Sequence, residues 1–95
     1  MFIISLDYIK PIEDVEKHQE AHRAFLHGYF DKNQLVCIGR KNPRTGGVII
    51  AYNMTREEAE ALTANDPFNV HGVAEYTITE MLPTRCARGF EALTA

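Results

Sequence analysis

His18 and His22 stand four residues apart in a stretch whose apolar residues, Val15, Phe25, Leu26 and Tyr29, recur at helical spacing. Both imidazoles fall at the intervening steps of the stripe that should face a core. An imidazole placed there must find a hydrogen-bond partner or move protons, since its ordinary charge change lies near neutrality. The carboxylate best set to serve it is Asp66, held by Pro67 at the end of a second helix. A carboxylate on one ring nitrogen fixes the tautomer and raises the basicity of the other, which is what general acid/base catalysis needs. The plainer reading stays open beside it: Asp66 only caps or turns the chain, and His22 is a satisfied core histidine.

The same two histidines share a helix face and could hold a metal, with Asp66 or His71 as third ligand. Yet the string is His-Gln-Glu-Ala-His, so the glutamate is not where a metalloprotease helix carries it. No metal is assigned on this pattern. Arg40, Lys41 and Arg44, followed by Gly46-Gly47, could grip an anion with guanidinium forks and free amides; the plainer reading is a solvated hairpin tip. Arg40 leads directly out of an apolar strand and is the best placed of the three. The candidate catalytic residues on this reading are Asp66 with His22 or His18, and the candidate substrate-binding set is Arg40, Arg44, His18 and His71. Arg23 points off the apolar stripe and reads as a surface residue. No glycine-rich loop of the phosphate-cradling kind follows a strand, so no organic cofactor is implied.

These residues need a scaffold. Phe2, Ile4, Leu6 and Tyr8 alternate with Ser5 and Asp7, the pattern of a half-buried strand. Pro11 and the acids Glu13, Asp14 and Glu16 start a helix expected to run to about Asp31, with Asn33 as its stop. Leu35 to Gly39 reads as a second strand, covered on both faces because it is nearly all apolar, with Cys37 a small core residue. Arg40 to Gly47 reads as a loop, and Val48 to Tyr52 as a third strand. Thr55-Arg56-Glu57-Glu58 is a capping box that opens a second helix, closed at Asn65-Asp66-Pro67. Val73 to Met81 is a fourth strand, with Tyr76 and Ile78 on one face. Residues 84–95 form a short helical or irregular tail.

The order strand, helix, strand, strand, helix, strand is the ferredoxin-like βαββαβ arrangement, an α+β fold with two helices on one face of a four-stranded antiparallel sheet. Antiparallel helices would bring the end of the second, with Asp66, towards the first half of the other. The opposite sheet face also wants cover, and a second copy of the chain is the available one, giving a homodimer.

Ninety-five residues make one domain, assigned to residues 1–83, with 84–95 as a tail that could pack at the dimer interface. The apolar fraction of 45% and charged fraction of 24% are those of an ordinary globular protein. A net charge of -3 disfavours nucleic acid and anionic membranes as partners. No apolar run is long enough to span a bilayer, and the N-terminus lacks the basic lead-in of an export signal, so the expected compartment is the cytoplasm. Cys37 and Cys86 are then expected as free thiols.

Ala21-His22, Gly39, Asp66-Pro67-Phe68, and Gly72-Val73 with Glu75 occur in order on these elements. Through them the chain resembles the YCII-related (YciI-like) family from Phe2 to about Met81. The stretch Gly39-Arg40-Lys41-Asn42-Pro43-Arg44-Thr45-Gly46-Gly47-Val48 resembles one subgroup, GRKxPRTGGV. The resemblance implies a dimeric α+β barrel and a histidine–aspartate active site, falling here on His22 and Asp66. Most members have no assigned reaction; a dehydrochlorinase acting on a chlorinated hydroxyhydroquinone is among the few that do. Many members carry arginine three residues before the histidine, where this chain has Gln19. Another cation, Arg40 or Arg44, would then have to serve. The expected function is proton abstraction, elimination or isomerisation on a small polar metabolite, with aromatic, lactone-like and anionic molecules as the candidates. The alternative is a non-catalytic dimeric module that binds such a molecule without turning it over.

Overall fold

Strict alternation makes β1 (Phe2–Tyr8) a strand with one buried face, carrying Phe2, Ile4 and Leu6, and pairing on both sides makes it one of the two inner strands of the sheet. A computed structural model of the chain describes residues 1–94. The remaining strands are β2 (Leu35–Arg40), β3 (Gly46–Ala51) and β4 (Ala74–Glu80), in the spatial order β2-β3-β1-β4 and antiparallel throughout. Residues directly opposite share a face, so Ile49 and Ala51 of β3 join Ile4 and Phe2 on the covered side. That side packs against Val15, Leu26, Ala59 and Leu62 from the helices, all fully buried. Each buried valine, leucine or isoleucine among them contributes on the order of 1.5–3 kcal/mol by leaving water. The expected α+β sheet-and-helix architecture is present.

The first helix differs from its expectation. It is split into α1 (Ile12–Glu16) and α2 (Gln19–Asp31). At the break the chain tightens into a three-residue turn, His18 N–H donating to Val15 C=O at 3.0 Å, before His22 N–H to His18 C=O resumes the α-helical ladder. At its far end α2 stops as expected: Asn33 takes the left-handed conformation, φ 57°. The capping box is fully formed on α3 (Arg56–Asn65), with Glu58 N–H donating to the Thr55 hydroxyl at 3.2 Å and Thr55 N–H to the Glu58 carboxylate at 3.0 Å. A short additional helix, α4 (Pro67–Val70), occupies the stretch expected to be a plain connector. Gly72 follows it at φ 68°, a conformation that side chains resist.

Two strand expectations are corrected. The strand Leu35–Arg40 lies at the sheet edge rather than covered on both faces; beyond Leu35 it opens to solvent, Ile38 is 39% exposed, and Cys37 is exposed rather than a core residue. An apolar run sets strand propensity but not position in the sheet, which depends on pairing with β3. Gly46 and Gly47 belong to β3, not to the loop, which shrinks to residues 41–45 and holds a cis Asn42–Pro43 bond. A Cβ on Gly46 would collide with the Leu6 carbonyl, so the close approach of β3 to β1 requires glycine there.

The tail ends in a 3-10 turn, Glu91–Thr94, and Phe90 and Leu93 sit beside Leu35 and Val36 at the β2 edge, with Phe90 still largely exposed. No helix among the described residues is long and apolar enough to cross a membrane.

Candidate active site

Pro67 excludes Asp66 from the helical region, so Asp66 ends α3 in an extended conformation, φ -60° and ψ 129°. The same conformation makes it the N-cap of α4, whose first residue is that proline. Its Oδ1 accepts the Phe68 N–H at 3.1 Å, so the carboxylate is aimed by its own backbone before any tertiary contact forms. Across the helix pair, His22 Nδ1–H donates to that same oxygen at 2.7 Å, linking residues 44 apart in sequence. A carboxylate only accepts, so the proton on this bond belongs to Nδ1, and in the neutral imidazole Nε2 is then the bare nitrogen. Asp66 is wholly buried and the His22 side chain is 13% exposed, which makes the contact short, charge-assisted and shielded from water. Such bonds contribute on the order of 1.5–3 kcal/mol.

Phe68 supports the ring as well. Its face lies parallel to the imidazole of His22 at 3.9 Å and 8°, and Tyr8 meets Phe68 edge-on at 6.0 Å. The negative face of the phenyl ring favours the imidazolium that forms when His22 takes a proton. In front of His22 lies a cavity of about 400 Å³, a volume suited to a small-molecule ligand. Leu6, Ile49 and Phe68 make its apolar wall, and Tyr8 adds a phenol. Its charged lining is basic: Arg23 and Arg40 flank His22, and no acid lines it.

The candidate residues fare differently. His22 and Asp66 are brought together, and Arg40 lines the cavity. Arg44 reaches it indirectly, its Nη2 donating to Oε1 of Gln19, a lining residue, at 3.4 Å. Lys41 is taken up by an ion pair with Asp7 at 2.8 Å. His18 and His71 lie off the cavity and stack on one another, rings parallel at 3.9 Å and 8°. Among the described residues no three histidine, cysteine, aspartate or glutamate side chains converge to hold a metal ion.

Arg23 is exposed, as expected of a surface residue, and it also lines the cavity, which sequence reasoning missed. Its spacing held the signal, because Gln19 and Arg23 are one α-helical turn apart and both face the same space. Tyr76 is a second residue with a place here that sequence reasoning assigned only to a strand face. Its hydroxyl and Asp66 Oδ2 are both buried, and neither has a hydrogen bond of good geometry. Burial first, then the charge and hydrogen bonding of Asp66, push the Tyr76 phenol far above its ordinary value. Left unpaired, each buried polar atom would cost about 1–3 kcal/mol.

Comparison with known proteins places the chain in a family. No curated protein matches the sequence. Among solved structures, the chain is similar to 5-chloro-2-hydroxyhydroquinone dehydrochlorinase from Burkholderia phenoliruptrix AC1100, in its complex with 2,5-dihydroxybenzoquinone. The TM-score is 0.71 at 18% identity, covering 85% of this chain and 93% of that one, a likeness of fold. The YCII-related domain is matched over residues 1–82, and the chain belongs to the YCII-related domain family.

Proposed function

We propose that His22 is a general acid/base acting through Nε2, with Asp66 holding its tautomer, on a small planar molecule that carries or develops negative charge. The observation that carries this reading is the 2.7 Å bond between His22 Nδ1 and the fully buried Asp66, at the wall of a basic-lined cavity. Arg23 and Arg40, with Arg44 behind Gln19, supply the positive potential that an enolate or phenolate needs as its charge grows. The apolar wall suits a ring. The reaction class is proton abstraction with elimination or isomerisation: a substrate proton moves to Nε2, and in an elimination the leaving group departs as an anion.

The dehydrochlorinase of like fold, seen with a dihydroxybenzoquinone, motivates the choice of probe. Titration with 2,5-dihydroxybenzoquinone is expected to move the ring signals of His22 in NMR spectra. A chlorinated hydroxyhydroquinone is expected to release chloride with the parent protein and at least about 10²-fold more slowly with His22→Gln. No binding and no turnover would sink the reading, whereas binding without turnover would favour a non-catalytic metabolite-binding module.

The reading extends to assembly. On the helix-free sheet face, Ile3, Val48 and Ile50 are only half-buried and Cys37 is exposed beside Ile50. This apolar patch is proposed to be covered by a second copy of the chain, giving the dimeric barrel. Sedimentation should then show a dimer for the parent and a monomer for Ile50→Glu; a monomeric parent would overturn it.

A further inference from the structure

We infer that Tyr76 is a third member of the His22–Asp66 array, a positioning residue whose phenol O–H holds the second oxygen of Asp66. Oδ1 of Asp66 already accepts two hydrogen bonds, from His22 Nδ1–H and Phe68 N–H. Oδ2 is left, buried and with no donor in good geometry, and the Tyr76 hydroxyl is buried in the same condition. One is an acceptor without a donor and the other a donor without an acceptor, and native interiors pair such groups. Tyr76 sits opposite Leu6 in the β1–β4 register, on the helix-covered face that also carries the cavity wall. Burial first, and then the Asp66 charge, push the phenol above its ordinary value, which keeps its proton on the oxygen. The hydroxyl proton turns freely about the C–O bond, so it can be presented to the Asp66 carboxylate, which only accepts.

The consequence is control of the imidazole. With Oδ1 held by Phe68 and Oδ2 by Tyr76, the carboxylate cannot rotate, so Nδ1–H stays on Asp66 and Nε2 stays bare towards the cavity. The geometric claim stands on the free protein; only its effect on turnover rests on the acid/base reading of His22.

The test is Tyr76→Phe, which keeps the ring and removes the donor. In ¹⁵N NMR spectra without ligand, the parent is expected to show His22 as a single tautomer with Nδ1 protonated. In Tyr76→Phe the Nε2 resonance should move towards the protonated range as the second tautomer gains population. If a chlorinated hydroxyhydroquinone is turned over, kcat should fall about tenfold with little change in KM. A folded Tyr76→Phe with an unchanged tautomer would overturn the inference. Should that variant fail to fold, 3-fluorotyrosine at position 76 keeps the shape and strengthens the donor; the His22 Nδ1–H proton signal should shift, and an unmoved signal would overturn it. A parent that turns nothing over ends the acid/base reading alone, because the tautomer measurement still decides the role of Tyr76.

Discussion

Two ring stacks join α2 to the α4 segment, one helical turn apart, and their geometries coincide. His22 lies on Phe68 and His18 on His71, each pair parallel at 3.9 Å and 8°. Their surroundings do not coincide. His22 is backed by a fully buried carboxylate at 2.7 Å and faces a cavity. His18 and His71 have no acid within hydrogen-bonding reach among the described residues, and His71 is exposed. Stacking by itself is packing between two helices. A buried acceptor that fixes one nitrogen, together with open space at the other, is what makes an imidazole a candidate catalyst.

The sharpest way to break this contrast is paired substitution. His22→Gln should lower kcat/KM on a hydroxylated chloroaromatic by about 10²–10⁴-fold, whereas His18→Gln should stay within a few-fold. Equal losses would mean that the two stacks are functionally alike. Asp66→Ala comes next. It removes an N-cap and the partner of a shielded imidazole together, so urea denaturation should register a loss of about 2–3 kcal/mol. The matching change at the exposed stack, His71→Ala, should stay within about 0.5 kcal/mol.

Between these lies the capping box, at the opposite end of the helix that delivers Asp66. Thr55→Ala should cost about 1 kcal/mol without altering the contrast between the stacks. The box also has a pH signature. Hydrogen bonding to the Thr55 backbone, then to Gln34, holds the Glu58 carboxyl below its ordinary 4.5. A depressed carboxyl stabilises the fold above its unfolded value, and that contribution is lost as pH falls through the folded value. The Tm gap between parent and Glu58→Gln should therefore be full at neutral pH and shrink as pH drops below about 4.5. Because Glu58 is solvent-exposed, this should be the smallest of the effects. A gap that widened in acid would show that the carboxylate is not the stabilising form.

Much of this arrangement could be read from short stretches. The β1 alternation, the Thr55–Glu58 box, the Asn33 stop and the Asp66-Pro67 helix end each depend on neighbours within a few residues, and each formed as read. The break at Lys17–His18 was not legible, because apolar spacing continues across it while the turn tightens locally. Nor was the edge position of β2, since β-rich composition is the same in an inner and an outer strand. Arg23 was assigned by its angle from the apolar stripe, and that angle says nothing of which neighbour stands beyond it.

The sequence by itself determined the span of β1, the capped start and the end of α3, and that Asp66 would be held extended at a helix junction, since these follow from dihedral preferences and local hydrogen bonds. Spacing alone could not choose which histidine receives that carboxylate; the family resemblance pointed to His22, and the tertiary structure supplied the physical reason. His18 and His22 are equivalent by spacing, and the choice between them was made by the packing of α2 on α4. That packing sets His22 against Asp66 and Phe68 and leaves His18 to His71. The same packing decided that Arg23 and Arg40 would line one space and that the Tyr76 hydroxyl and the second oxygen of Asp66 would both be buried without another partner. Such contacts join residues far apart in the chain, and no local rule can choose among them.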